Sequence, residues 1–315
     1  MTAGRRALLT MAGLGIGGLG VAGALPALAP RAARAQRVPN RPAEVIEDPL
    51  VERFDLGLGD GPAWRIQLAR PATPPPAAGY PVLTVLDGNA LFPLAWRMRE
   101  AAGAAGVALL AIGHPTEAQY DFDRRFLDLT PATPAEAFGP RRDNPPPTGG
   151  RGRFLAFIET ALRPAVAARL PVDPGRQALF GHSLGGLFGL HVLFTRPELF
   201  RAYALSDPSI WWNGRSILEE QAAFLGGLRA AGGRVSRPLE VLVAVAGITR
   251  PGPFRAAGGD GPGGRETARA LATIPGLRAA FRRVEGEGHG GMVPQAMADA
   301  LALAAGRMPE GTALP

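Results

Sequence analysis

The chain has 315 residues and a formal charge of +7, from 34 basic and 27 acidic residues, with four histidines and no cysteine. Every basic residue is arginine, which excludes a Schiff-base lysine, a P-loop lysine and a Ser–Lys pair. The lack of cysteine excludes disulfides, thiol nucleophiles and cysteine-held metals, and a hydrophobic content of 46% marks a globular chain of one large or two small domains.

Residues 1–35 hold Arg5, Arg6, Arg31 and Arg34 and no acid. An arginine pair, a Gly/Ala/Leu stretch and the small-residue pattern Ala33-Arg34-Ala35 predict an export signal cleaved after Ala35. The run Gly4-Arg5-Arg6-Ala7-Leu8-Leu9 resembles a twin-arginine signal. The expectation is export to the periplasm or medium, with 36–315 as the mature domain. Without those four arginines the formal charge is +3, and no basic stripe with interleaved aromatics suggests a nucleic-acid partner.

The remaining elements follow in chain order. Residues 51–58 and 63–69 predict an antiparallel pair. Pro71-Ala72-Thr73-Pro74-Pro75-Pro76-Ala77-Ala78 reads as a surface connection. Residues 81–86 predict a buried strand, 91–102 a helix and 107–112 a second buried strand. Residues 131–152, with Pro145-Pro146-Pro147 and Gly149-Gly150, predict a long loop or lid. Helical spacing over 154–170 precedes a strand at 177–180 and an apolar helix at 184–194. Strands at 202–206 and 239–246, a helix at 265–274, a strand at 279–284 and a helix at 293–305 complete the chain. Apolar strands alternating with helices predict one α/β domain, a mostly parallel central sheet with helices on both faces.

The strongest chemical signal is Gly181-His182-Ser183-Leu184-Gly185. It joins a predicted strand to a predicted helix, the setting in which G-x-S-x-G becomes a nucleophile elbow. The glycines let the serine adopt a strained turn without colliding with its neighbours. A serine nucleophile needs a base. His289, in the glycine-rich stretch between the last strand and the last helix, fits the order nucleophile–acid–histidine. His182 lies inside the elbow and is expected to face away from the base position. His191 is expected to pack in the core, and His114 to line the pocket. The orienting acid is open among Glu266, Asp260, Asp207 and none, because no carboxylate follows residues 239–246 directly. The oxyanion is expected to meet the amide of Leu184 and that of Gly88 or Asn89, in the loop after the 81–86 strand.

The stretches Val85-Leu86-Asp87-Gly88-Asn89, Asp123-Arg124-Arg125-Phe126, Gly181-His182-Ser183-Leu184-Gly185-Gly186 and Pro208-Ser209-Ile210-Trp211-Trp212 together resemble the Putative esterase family. That family includes the siderophore trilactone esterases and, more distantly, esterase-D-like enzymes and mycolyltransferases. The resemblance implies an α/β-hydrolase fold, serine esterase activity, and no cofactor or metal. It matches Ser183 and His289 to the family's nucleophile and base. It also puts Glu266 first among the acids, because the 258–266 segment looks like the mycolyltransferase region whose helix glutamate is the acid. Two departures stand out. Ile248 and Thr249 occupy the place where the family often has a glutamate, and Asp207 replaces a small residue before Pro-Ser.

The expected activity is hydrolysis of a small-molecule carboxylic ester through a Ser183 acyl-enzyme, the substrate being a siderophore trilactone or a similar ester. Arg124, Arg125, Arg141, Arg142, Arg151 and Arg153 are expected to meet an anionic ferric siderophore, with Trp211 and Trp212 as an apolar wall. The alternatives are a small-acyl carboxylesterase or acetylesterase, an acyltransferase, and a catalytically silent binding protein of the same fold.

Overall fold

The apolar runs form eight strands: β1 (Val51–Leu56), β2 (Trp64–Ala69), β3 (Tyr80–Leu86), β4 (Ala108–Gly113), β5 (Val172–His182), β6 (Ala202–Ser206), β7 (Leu239–Ala246) and β8 (Leu277–Val284). The structure, a computed structural model, describes residues 40–138, 144–248 and 263–310. Residues 1–35, Asp260, Arg141 and Arg142 therefore lie outside the described residues.

The strands make one sheet in the order β1-β2-β4-β3-β5-β6-β7-β8. β1 and β2 pair antiparallel, as do β2 and β4, and every later pair is parallel. Parallel strands are shielded on both faces, which is why β3 and β6 are buried along their whole length. Alternate residues serve opposite faces. Val82 and Leu86 of β3 join one apolar layer, and Leu83 and Val85 join the other.

Helices α1 (Gly88–Met98) and α9 (Val293–Ala304) cover one face. The other carries α2 (Phe122–Leu129), α3 (Arg151–Phe157), α4 (Arg163–Ala167), α5 (Leu184–Thr195), the short α6 (Trp212–Arg215), α7 (Ile217–Ala230) and α8 (Gly264–Ala272). A π-helical turn, Ile158–Leu162, joins α3 to α4, so the helix expected at 154–170 starts earlier, inside the Pro-rich segment. Helix α5 is apolar all round and buried through nearly every residue, as the central helix of such a layer must be. Side chains such as Phe188 and Leu187, removed from water, contribute about 1.5–3 kcal/mol each.

Three helices were not expected from the sequence, the one-turn α6 among them. α2 is short, and its charged Asp123, Arg124 and Arg125 conceal the apolar stripe. α7 buries only Ile217 and Phe224, two turns apart, and Gly226-Gly227 interrupts its helical signal. No helix among the described residues is long and apolar enough to cross a membrane.

Candidate active site

Three residues other than glycine take left-handed backbone angles directly after β3, β5 and β6: Asp87 at φ 56°, Ser183 at φ 60° and Asp207 at φ 41°. Each such residue costs of the order of 1–3 kcal/mol and persists only where its surroundings hold it. β3, β5 and β6 are neighbours in the sheet, so the strained positions gather at the carboxyl end, where ligands of open α/β sheets bind.

Ser183 is fixed from both sides. Its N–H donates to Ser206 O at 2.9 Å, and its carbonyl accepts from Leu187 N and Ser209 N, each at 3.0 Å. A Cβ on Gly181 would lie 2.2 Å from the carbonyl oxygen of Gly185, and one on Gly186 would lie 2.9 Å from Pro208 Cα. Larger residues at either place would force the turn apart. The Ser183 hydroxyl lies 3.3 Å from Ser209 Oγ.

His289 lies in the loop that follows β8. Its Nδ1 lies 2.5 Å from Asp207 Oδ2, and that carboxylate is 3% exposed while the imidazole is half-exposed. A buried carboxylate on Nδ1 holds the proton there and leaves the Nε2 lone pair to take a proton. The expectation that Glu266 orients His289 is therefore corrected. Glu266 is exposed on the first turn of α8, and the carboxylate on His289 belongs to Asp207. The cause is the backbone: Asp207 N bonds Ala244 O at 2.6 Å across β7, and the left-handed turn places its carboxylate beside the β8 loop.

His182 does not face away from His289. Its ring centroid is 4.4 Å from that of His289, and its Nδ1 lies 3.0 Å from Ser206 Oγ. Burial, then the neighbouring His289 and Arg125, push it down from 6.5 to about 3, with Asp207 acting the other way. It is thus a neutral ring packed at a tilt of 37° against His289. The unfolded chain binds this proton near pH 6.5 and the folded chain only near 3, so stability falls as pH drops between those values and is unaffected by this group above them. The slope amounts to up to about 1.4 kcal/mol per pH unit. Denaturant titrations at pH 7 and pH 5 should show His182→Gln losing less stability on acidification than the parent; equal losses would refute this.

The amides of Leu184, Gly88 and Asn89 open helices α5 and α1, where N–H groups have no intrahelical acceptor. Leu184 lines a cavity with Ser183, and Gly88 and Asn89 are not among its lining residues. A Cβ on Gly88 would come 2.9 Å from the Ile112 backbone. Asn89 uses its side chain elsewhere, donating to His114 O and Thr116 O at 3.0 Å and accepting from His114 N at 3.0 Å. The two helix starts are joined through Arg125. Its Nε and Nη2 donate to Asp87 at 2.7 and 2.9 Å, and Nη2 reaches His182 O at 3.4 Å. Burial alone would lower this guanidinium, but Asp87 outweighs it and the arginine is held above its ordinary value.

The cavity has a volume of about 200 Å³ and an apolar wall of Phe126, Phe138, Trp211 and Trp212, with Arg125 beside them. The Pro-rich segment supplies Thr133, Ala137 and Phe138, and Thr133 Oγ1 accepts from Trp212 Nε1 at 2.9 Å. Trp211 and Trp212 are where an apolar wall was expected. His114 is not: its Nε2 lies 3.0 Å from the buried Asp128, which also accepts from Trp64 Nε1 at 2.7 Å. The short loop after β4 turns His114 away from the cavity, and Asn89 fixes it there. His191 pairs with Glu220 at 2.7 Å, and Arg151 bonds the same carboxylate, so it belongs to an ion network rather than a plain apolar core. Arg124 bonds Asp128 and Ala63 O, and Arg153 bonds Leu58 O. None of the described arginines expected at an anion is uncommitted.

The sequence pattern does not reveal the placement of Ser209, the Asp87–Arg125 pair or the packing of His182 against His289. The Asp before Gly88-Asn89 and the serine after Pro208 were visible, but only the fold brings them to Ser183.

Residues 61–232 match the family described as "Putative esterase". The Ferri-bacillibactin esterase BesA of Bacillus subtilis is 33% identical over 252 residues, covering 76% of this chain and 84% of the relative. The Siderophore triacetylfusarinine C esterase of Aspergillus fumigatus is 47% identical over 152 residues, 46% of this chain, and the match spans about half, 49%, of that relative. Among solved structures, the BES protein from Bacillus cereus superposes with a TM-score of 0.71 at 30% identity, covering 83% of this chain and 98% of that one. Sheet order, elbow and these matches agree: the chain belongs to the Putative esterase family of carboxylic ester hydrolases and has its α/β-hydrolase fold.

Proposed function

We propose that the chain is an exported serine esterase that opens ester bonds of a siderophore through an acyl-enzyme. The observation that carries the mechanism is Ser183, strained on the elbow and opening into an apolar cavity, with the His289–Asp207 pair at the same end of the sheet. Ser183 Oγ attacks the ester carbonyl and gives its proton to His289 Nε2. Asp207 accepts from His289 Nδ1–H and stabilises the imidazolium. The Leu184 amide, with that of Gly88 or Asn89, holds the oxyanion. The proton passes to the leaving alcohol, and water, deprotonated by His289, then releases the acyl group.

The siderophore substrate is supported by the relatives, which are esterases of ferri-bacillibactin and triacetylfusarinine C by name. A second reading, a small-acyl carboxylesterase, is favoured by the small apolar cavity and the committed arginines. The deciding measurement is kcat/KM for a ferric catecholate trilactone against p-nitrophenyl acetate. The siderophore reading expects the trilactone to be preferred by about 100-fold or more, and the reverse order selects the second reading.

Export is supported by the arginine pair and small-residue pattern of residues 1–35. N-terminal sequencing of the exported protein should begin at Gln36, and a start at Met1 would reject a cleaved signal.

A further inference from the structure

We propose that Ser209 is a further catalytic residue, whose hydroxyl donates a hydrogen bond to Ser183 Oγ as that oxygen leaves the acyl group. The inference rests on the Ser183 acyl-enzyme reading and concerns its second half.

Ser209 is 2% exposed yet lines the cavity beside Ser183. Among the described residues its hydroxyl has Ser183 Oγ as partner, at 3.3 Å. The backbone gives it little freedom. Its N–H donates to Ser183 O at 3.0 Å, its carbonyl accepts from Trp212 N at 3.0 Å, and Pro208 before it packs against Gly186. The same tether that shapes the elbow thus aims a buried hydroxyl at the nucleophile.

The two halves of the reaction use that hydroxyl differently. In acylation the Ser183 oxygen is a hydroxyl before attack and already a good acceptor, so a donor beside it supports ground state and transition state alike. In the acyl-enzyme the same atom is an ester oxygen, a weak acceptor. When water adds and the Oγ–C bond breaks, the bonding electrons move onto Oγ, which becomes alkoxide-like before taking the proton from His289 Nε2. A hydrogen bond to Ser209 strengthens at that moment, and only interactions stronger in the transition state raise the rate. Asp207 and His289 manage the proton, and the Leu184 amide holds the carbonyl oxygen. Ser209 is the group placed on the departing oxygen.

The test is pre-steady-state hydrolysis of p-nitrophenyl acetate by the full chain, with sites counted by fluorophosphonate labelling. Ser209→Ala should slow deacylation about 10-fold or more while acylation changes by less than about threefold, so that a burst of p-nitrophenol appears or grows. Ser209→Cys replaces the hydroxyl with a weaker donor and should fall between the two. A merely structural role would lower the melting temperature or the number of labelled sites without moving the ratio of the two rates. A ratio within twofold of the parent in Ser209→Ala, or in Ser209→Cys should the alanine variant not fold, overturns the proposal. Failure of the parent itself to label would instead refute the acyl-enzyme reading.

Discussion

Ser183→Ala should lower kcat by about 10⁶-fold, with thermal stability close to the parent's, because the proposed acyl-enzyme forms on this hydroxyl. The size follows from how the parts cooperate. Without the nucleophile, His289 and Asp207 have no proton to move, and only oxyanion stabilisation and binding remain, worth about 10³–10⁴ over water. The substitution removes one oxygen, at the rim of a cavity, and leaves the backbone bonds of Ser183 to Ser206, Leu187 and Ser209 in place. A fluorophosphonate probe followed by mass spectrometry should label Ser183 in the parent and nothing in the variant. Full hydrolysis by Ser183→Ala would sink the Ser183 acyl-enzyme reading, whereas a folded parent that hydrolyses no ester would revive the silent binding protein of the same fold.

The second large effect separates the carboxylates. Asp207→Asn should reduce kcat by about 10⁴-fold, because an amide on His289 Nδ1 turns the imidazole to the wrong tautomer while keeping the geometry. Glu266→Gln should leave kcat within about twofold, as expected of an exposed side chain on the first turn of α8. Steady-state kinetics of the two variants decide the matter. If Glu266→Gln were the damaging change and Asp207→Asn the silent one, the acid would have to be reassigned. Asp207 is buried, so the asparagine variant also needs its melting temperature checked, and a folded protein with lost kcat is the expected pair of results.

Asp207 explains how this chain departs from its family pattern. The loop after β7, where a glutamate is often found, begins here with Gly247 and the exposed Ile248. A carboxylate one strand earlier, after β6, reaches the same imidazole because β6 and β7 are adjacent and parallel. The cost is a left-handed backbone at a residue other than glycine. The return is a carboxylate shielded from water, where it acts on Nδ1 more strongly than an exposed one would.

By itself the sequence determined the α/β architecture, the elbow and the short list of histidines. These follow from local rules. Continuous apolar runs make buried parallel strands, the glycines around Ser183 permit a turn that Cβ atoms would block, and a lysine-free, cysteine-free chain has few alternative nucleophiles. Strands β6 and β7 take the residues that the apolar pattern assigns to them. What only the tertiary structure decided depends on where distant loops meet. Asp207 and His289 are 82 residues apart, Asp87 and Arg125 are 38 apart, and Ser183 and Ser209 are 26 apart. No spacing rule links such pairs, because sheet order sets their distances and single left-handed residues set their directions. Glu266 had the sequence context of an acid, but Asp207 had the position.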